Sequence, residues 1–258
     1  MLNENLDINF VNNKNFPVFF IDNFFDYTFY SNLRKNFPLF NKDKFKKFAN
    51  DKYALSLEDD YYKSISQNNV VLSDLKILLK SKEFVQKMYS LLYYKILFSN
   101  NHNILRTIKY LRPFVKLDSE KKSFFDFMYS KLKISIQFSY MLNNSKIVPH
   151  VDSVKEVMAL LIYFPQYDEN QNEYAIEKKY GTVFWESNSF NYDNQHLLDK
   201  DEENLFKKKN KIFYISDYTH NTCCGFIRND KSWHTVEPFD IGLNYIRRSI
   251  NINFILLN

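Results

Sequence analysis

The chain has 258 residues, 26 of them Phe and 19 Tyr but only 3 Gly, and 35 basic against 30 acidic side chains leave a formal charge of +5. Its length and 45% hydrophobic content exclude intrinsic disorder and allow a large core. Three widely separated glycines exclude phosphate loops of the GxxxxGK(S/T) or GxGxxG kind.

Phe16-Pro-Val-Phe-Phe-Ile begins as an apolar strand and runs into Asp26, whose carboxylate suits an N-cap for the helical periodicity of Tyr27–Lys35. Leu75, Leu78, Leu79, Val85, Met88 and Leu92 belong to an apolar stripe that predicts one helix over Leu72–Phe98. Another helix is expected over Ser119–Leu132, with Ser119 as its cap. Residues 1–132 therefore read as a helix-rich N-terminal part. After Lys133 the period becomes two: Ile134–Leu142 alternates apolar and polar residues, and Val157–Phe164 is an apolar run of strand length. Thr182–Trp185, Ile212–Ile215, Thr222–Ile227 and Ser249–Leu256 follow as strands. Short strands with irregular loops and no intervening helices predict a jelly-roll core over 133–258. The expected class is α+β, with one domain spanning 1–258. The charged insertion 186–211 reads as a loop or short helix of the kind that forms lids.

Lys207–Lys211 follows the acidic run Asp199–Glu203, and adjacent blocks of opposite sign describe a solvated segment rather than a tracker of nucleic-acid phosphates. Cys223 and Cys224 are neighbours, which makes an intramolecular bridge or a CxxC metal site a poor reading; two reduced thiols on a strand are expected. The N-terminus shows no basic and apolar leader, and the longest apolar run is far shorter than the ~20 residues of a membrane span. No membrane association and a cytoplasmic setting are the expectations.

The residues that carry chemistry are His150-Val-Asp152, His234 and Arg247-Arg-Ser249. Two side chains two apart in an extended segment share a face, so His150 and Asp152 can approach one metal ion together. His234 arrives after enough strand to bring the chain back. Two imidazoles and a carboxylate form a facial triad that leaves three positions open on Fe(II). Arg247 and Ser249 are also two apart, and offer a guanidinium fork and a hydroxyl to a buried carboxylate. Arg248 is expected on the opposite face, as a solvent-facing charge.

Pro149-His-Val-Asp-Ser153, Leu160–Phe164, Gly181–Trp185, Ser232-Trp-His-Thr-Val-Glu-Pro238 and Arg247-Arg-Ser-Ile250 together resemble the Fe(II)- and 2-oxoglutarate-dependent oxygenases, in the branch similar to prolyl 4-hydroxylases. The resemblance is close from about Ser135 onward and loose before it. It implies a double-stranded β-helix, Fe(II) on His150, Asp152 and His234, and 2-oxoglutarate with its distal carboxylate on Arg247, assisted by Ser249. Tyr140 corresponds to a position that often contacts the cosubstrate, and His220 and Asn221 are candidates for roles behind the ligands. The implied reaction hydroxylates a C–H bond of a small-molecule or peptidyl substrate with O2, while 2-oxoglutarate becomes succinate and CO2. Asp152 argues against the halogenating variants, which have a small residue there. The doubled glycine common in the family is absent around Gly181. The competing readings are a non-catalytic jelly-roll binding or scaffold protein, and a cupin-type metalloenzyme that uses no 2-oxoglutarate.

Overall fold

The structure, a computed structural model, describes residues 1–11, 15–48, 52–97, 132–166, 180–187, 196–197, 199–240 and 244–256. The helix expected over 119–132 lies outside them, except that Leu132 opens a strand.

The N-terminal part starts with strands β1 (Asn9–Val11) and β2 (Val18–Ile21) and helix α1 (Tyr27–Lys35). Asp26 caps α1 as its sequence suggests, accepting from the amides of Thr28 and Phe29. Strands β3 (Lys46–Lys47) and β4 (Lys52–Ser56) follow, then helices α2 (Asp60–Gln67), α3 (Val70–Lys80) and α4 (Lys82–Leu97). The single helix expected over Leu72–Phe98 is thus two. Ser81 adopts an extended conformation, ends α3, and its hydroxyl accepts the Phe84 amide, so it begins α4 as well. A serine satisfies the otherwise unpaired first-turn amides of a new helix, which makes it a break point without any Gly or Pro.

The C-terminal part holds β5 (Leu132–Leu142), β6 (Ile147–Val151), β7 (Glu156–Tyr163), β8 (Val183–Glu186) and β9 (His196–Leu197). Helix α5 (Lys200–Lys209) precedes β10 (Lys211–Ile215), β11 (Cys223–Ile227), β12 (His234–Val236) and β13 (Ile246–Leu256). An eight-stranded sheet runs β1-β2-β11-β7-β13-β5-β4-β3 and a five-stranded sheet runs β10-β8-β12-β6-β9. All the described pairings within them are antiparallel. The architecture is α+β with two antiparallel sheets. The N-terminal part is not a separate helical body, since its four strands extend the large sheet at both edges.

Strand parity decides what each face of the large sheet buries. Leu160 and Ile162 of β7, Phe138 and Tyr140 of β5, and Ile250, Ile252 and Phe254 of β13 turn to one core, with Leu72, Leu75 and Leu79 of α3 and Phe84, Val85 and Met88 of α4. Each such fully buried side chain is worth about 1.5–3 kcal/mol, so a one-residue slip that moved a strand's set to the other face is strongly disfavoured. Met141, Ala159, Tyr163, Cys224 and Phe226 emerge from the opposite face and meet Phe184, Val236 and Phe239. The vicinal cysteines are both free and buried, one on each face of β11. Burial pushes the Cys224 thiol up to about 12, which makes it inert.

The insertion 186–211 does not supply a lid over this interior in its described part. Helix α5 carries a capping box, Asp199 with Glu202, and lays Phe206 on the outer face of the small sheet against Trp185 and Trp233. Among the described residues no helix is long and apolar enough to cross a membrane.

Candidate metal centre

Strands β6 and β12 pair with His150 directly opposite His234. Their neighbours Val151 and Trp233 belong to the outer core under α5, so parity turns both imidazoles inward. The ring centroids are 4.1 Å apart. His150 shares its Nδ1 with the Val148 carbonyl at 2.9 Å, and His234 shares its own with the Ser232 carbonyl at 3.0 Å. A carbonyl only accepts, so Nδ1 carries a proton in each ring and Nε2 is the nitrogen turned toward the site. Those two Nε2 atoms lie 3.7 and 3.8 Å from the same Oδ1 of Asp152. The three donor atoms fall within 4.8 Å of one another, a grouping able to hold a metal ion.

Asp152 follows the end of β6, and its backbone is held in place by Arg228. The Arg228 Nε donates to the Asp152 carbonyl at 3.1 Å while Nη1 reaches Asp230 at 2.8 Å. Phe226 and Phe184 approach His234 with ring centroids at 4.6 and 6.3 Å and form a dry wall on that side. Burial, and then the neighbouring His234, hold the His150 imidazole down at about 3, so at neutral pH it is uncharged, the state a ligand requires.

Arg247 lies on β13, facing the inter-sheet space beside Met141. Its Nε donates to the Tyr180 carbonyl at 3.0 Å, and its guanidinium carbon stands 5.3 Å from the Tyr163 ring centre and 5.1 Å from that of Tyr218. The arginine is only 3% exposed, and its Nη2 is buried with no hydrogen-bond partner. An unsatisfied charged donor in such a slot is costly unless an acceptor fills it, and a carboxylate fits a guanidinium fork best. Ser249 shares the face of Arg247, but its hydroxyl donates to Oδ1 of Asn251 at 2.8 Å.

Three sequence expectations are corrected. Tyr140 stands opposite Arg248, not Arg247, and so points into the helix-side core, where its hydroxyl donates to the Pro38 carbonyl at 2.8 Å. It is not brought to the inter-sheet site. Arg248 is not a solvent-facing charge: it donates to the carbonyls of Phe164 and Pro165 and stacks 4.9 Å from the Phe37 ring centre. Asn221 serves structure, gripping both the amide and the carbonyl of Phe25 from a left-handed backbone conformation, and His220 hydrogen-bonds the Tyr30 hydroxyl. Sequence reasoning did not single out Lys52 and Glu156, which also border this space. Lys52 shares the inter-sheet face of Met141 and Arg247, burial holds its ammonium below the ordinary lysine value, and Oε2 of Glu156 is buried without a partner. Burial, and then the charge of Asp152, push the Glu156 carboxyl up to about 9.

No protein-family model matches the chain, and no curated protein does. The solved structures similar to it include the following two. One is a prolyl-4-hydroxylase of Pseudomonas putida, 8% identical, aligned over 93% of this chain and 92% of that one with a TM-score of 0.41. The other is a prolyl hydroxylase of Trichoplax adhaerens in complex with a hypoxia inducible factor oxygen degradation domain peptide fragment; it is 11% identical, covers 92% of this chain and 83% of that one, and has a TM-score of 0.47.

Proposed function

We propose that the chain is an Fe(II)- and 2-oxoglutarate-dependent oxygenase that hydroxylates a C–H bond. The observation that carries this reading is the convergence of two imidazole Nε2 atoms on one Asp152 oxygen, with a buried Arg247, whose Nη2 lacks a partner, on the facing sheet. The donor set suits Fe(II): two imidazole Nε2 atoms and one carboxylate grouped within 4.8 Å. His150, Asp152 and His234 hold the metal, and Arg247 takes the distal carboxylate of 2-oxoglutarate. When bound, the metal and cosubstrate supply the redox chemistry, with O2 as oxidant and succinate and CO2 as co-products.

The protein's own contribution is geometric and electrostatic. The Val148 and Ser232 carbonyls fix the imidazole tautomers and ring planes. Arg228 fixes the backbone of Asp152. Tyr163 and Tyr218 flank the Arg247 guanidinium, so its plane is set before a carboxylate arrives. Phe184 and Phe226 keep water from the His234 side.

The two sheets, on this reading, form a double-stranded β-helix within one domain. Two reduced cysteines fit a cytoplasmic setting. The substrate is a small molecule or a peptidyl residue; the Trichoplax neighbour holds a peptide. Incubating the protein with Fe(II) under anaerobic conditions, then adding 2-oxoglutarate and O2, should release succinate above a His150→Ala control. No succinate above that control, with neither Fe(II) nor 2-oxoglutarate binding, ends the proposal.

A further inference from the structure

Helix α5 joins the two edge strands of the small sheet. It follows β9, which pairs with β6 and sets Leu197 opposite His150, and it leads into β10, which pairs with β8 and sets Ile212 opposite Trp185. In the order β10-β8-β12-β6-β9 the chain must therefore cross the outer face from one edge to the other, over both strands that carry the imidazoles. Four strand spacings come to about 19 Å. The ten residues of α5 rise about 15 Å, so the helix makes most of that crossing by itself.

The helix grips that face through one ring and one ionic network. The Phe206 ring centre stands 4.8 Å from that of Trp233 and 5.6 Å from that of Trp185, and Phe206 shares the outer core with Val151. Trp233 and Val151 are the chain neighbours of His234 and His150, so one side chain of α5 backs both ligand strands. Glu203, one turn earlier and only 4% exposed, divides its carboxylate between two lysines. Its Oε2 accepts from Lys146 at 2.6 Å, just ahead of β6, and its Oε1 pairs with Lys207 at 2.9 Å. Lys207 goes on to Oε2 of Glu237 at 2.8 Å, just after β12. The other Glu237 oxygen accepts from the Thr235 hydroxyl, which accepts from Trp185 Nε1. Alternating charge thus runs unbroken from the start of β6, through α5, to the end of β12. One exposed ion pair would fix little, but a buried carboxylate with a separate lysine on each oxygen fixes a position.

The ligand strands need such a backing. Strand β12 has three residues, and its ladder with β6 is irregular between His234 and Val236. So short and uneven a pairing sets the separation of the two rings poorly, whereas a ligand constellation must be held to within about 0.5 Å. We propose that α5 is a brace for the metal centre, with Phe206 and Glu203 as positioning residues that hold His150 and His234 at the spacing a metal ion requires. This inference rests on the oxygenase reading. It gives the charged insertion a role behind the site rather than as a lid.

The test needs no turnover. Co(II) is titrated into the protein and followed by calorimetry and by its visible absorption, which reports ligand geometry, at a temperature where melting curves show each variant folded. Phe206→Ala should weaken Co(II) by about tenfold or more, the usual cost of loosening what holds a ligand, and should alter the absorption. Phe206→Leu, which refills most of the space, should recover most of the affinity. Glu203→Gln should shift both readouts in the same direction as Phe206→Ala. Leu79→Ala, in the helix-side core, is the control: it should lower the melting temperature and leave both Co(II) readouts at their wild-type values. Wild-type affinity and absorption in Phe206→Ala and Glu203→Gln, whatever their melting temperatures, would overturn the inference and leave α5 a stabilising element only. An equal loss in Leu79→Ala would overturn it too, because metal binding would then follow stability. Should Phe206→Ala not fold, Glu203→Gln decides by the same two readouts. Should the wild type bind no Co(II), the oxygenase reading itself fails and the brace with it.

Discussion

Acidification of the metal-free protein is the sharpest test of how the ligand set is built. The His150 imidazole is held at about 3, chiefly by burial and then by His234, whereas in the unfolded chain it titrates near the ordinary value of about 6.5. A base with a lowered folded value binds a proton more readily when unfolded. Its contribution to stability is therefore fully present above about pH 6.5, falls as the pH drops below that value, and levels off only near 3. At pH 5 the unfolded imidazole is almost wholly protonated and the folded one almost wholly neutral. The loss relative to pH 8 is then about 2 kcal/mol from this residue alone. That is a large fraction of a typical total of about 5–15 kcal/mol.

The assay is urea unfolding of chelator-treated protein at half-unit steps from pH 8 to pH 5, run in parallel on a His150→Gln variant. Contributions from other groups largely cancel in the difference between the two. Wild type should lose about 2 kcal/mol more than the variant across that range. Curves that fall in parallel would mean that the imidazole is open to water or protonated in the fold, and the dry ligand site described above would be wrong. Saturating Mn(II) at pH 8 should raise the wild-type midpoint and leave that of the variant nearly unchanged, because a metal that binds only the folded state stabilises it.

The corrected residues give three further expectations. Tyr140→Phe should cost about 1–2 kcal/mol in urea unfolding, through the buried Pro38 carbonyl it leaves unpaired, and should leave the 2-oxoglutarate affinity unchanged by calorimetry. Adjacent arginines should separate cleanly: Arg248→Met should lower stability by about 1–3 kcal/mol without touching 2-oxoglutarate binding, and Arg247→Met should do the reverse, weakening 2-oxoglutarate at least about tenfold at a nearly unchanged melting temperature. Gly181→Ala should destabilise by about 2 kcal/mol or more, since its methyl would overlap the Ser216 carbonyl and wedge apart Ser216 and Thr182, which hydrogen-bond through the Ser216 Oγ at 2.7 Å. A wild-type melting temperature for this last variant would place Ser216 wrongly.

The strands of the C-terminal part were legible because a half-buried strand writes its two faces into alternate residues. The α1 cap was legible because Asp26 immediately precedes a helical stripe. The same alternation also held the answers on Tyr140 and Arg248. Tyr140 has the parity of Ile134, Ile136 and Phe138, and Arg248 that of Ile246, Ile250, Ile252 and Phe254, so both belong to the apolar face. For Tyr140 parity and the resemblance to a family position point to different faces and parity is right, whereas for Arg248 parity gives the correct face and only its exposure to solvent is wrong. Strands β3 and β4 left no comparable signal. Lys46–Lys47 is two exposed lysines, and β4 is recognisable only once β5 is present to pair with it. Long-range pairing of short polar segments is tertiary information, and that is why Lys52 went unnoticed.

That alternation bears on function as well as on fold. On β5 the inward face reads Ser135, Gln137, Ser139 and Met141, and on β13 it reads Arg247, Ser249, Asn251 and Asn253. On β7 and β11 the same face reads Ala159, Leu161, Tyr163, Cys224 and Phe226. One half of the inter-sheet space is thus an ordinary apolar core, and the other half has a polar floor. Ser249 and Asn251 satisfy one another, but the Arg247 guanidinium keeps a buried Nη2 without a partner, which is expensive if this half of the space is sealed. The arrangement makes sense if that half is occupied by polar guests. Arg247 and Lys52 stand in one row along it, and His150, Asp152 and His234 converge from the opposite sheet. A non-catalytic scaffold would gain stability by filling such a space with Leu and Ile. Retaining two cations, two imidazoles and an acid there has a physical rationale when the guests are a metal ion and carboxylates.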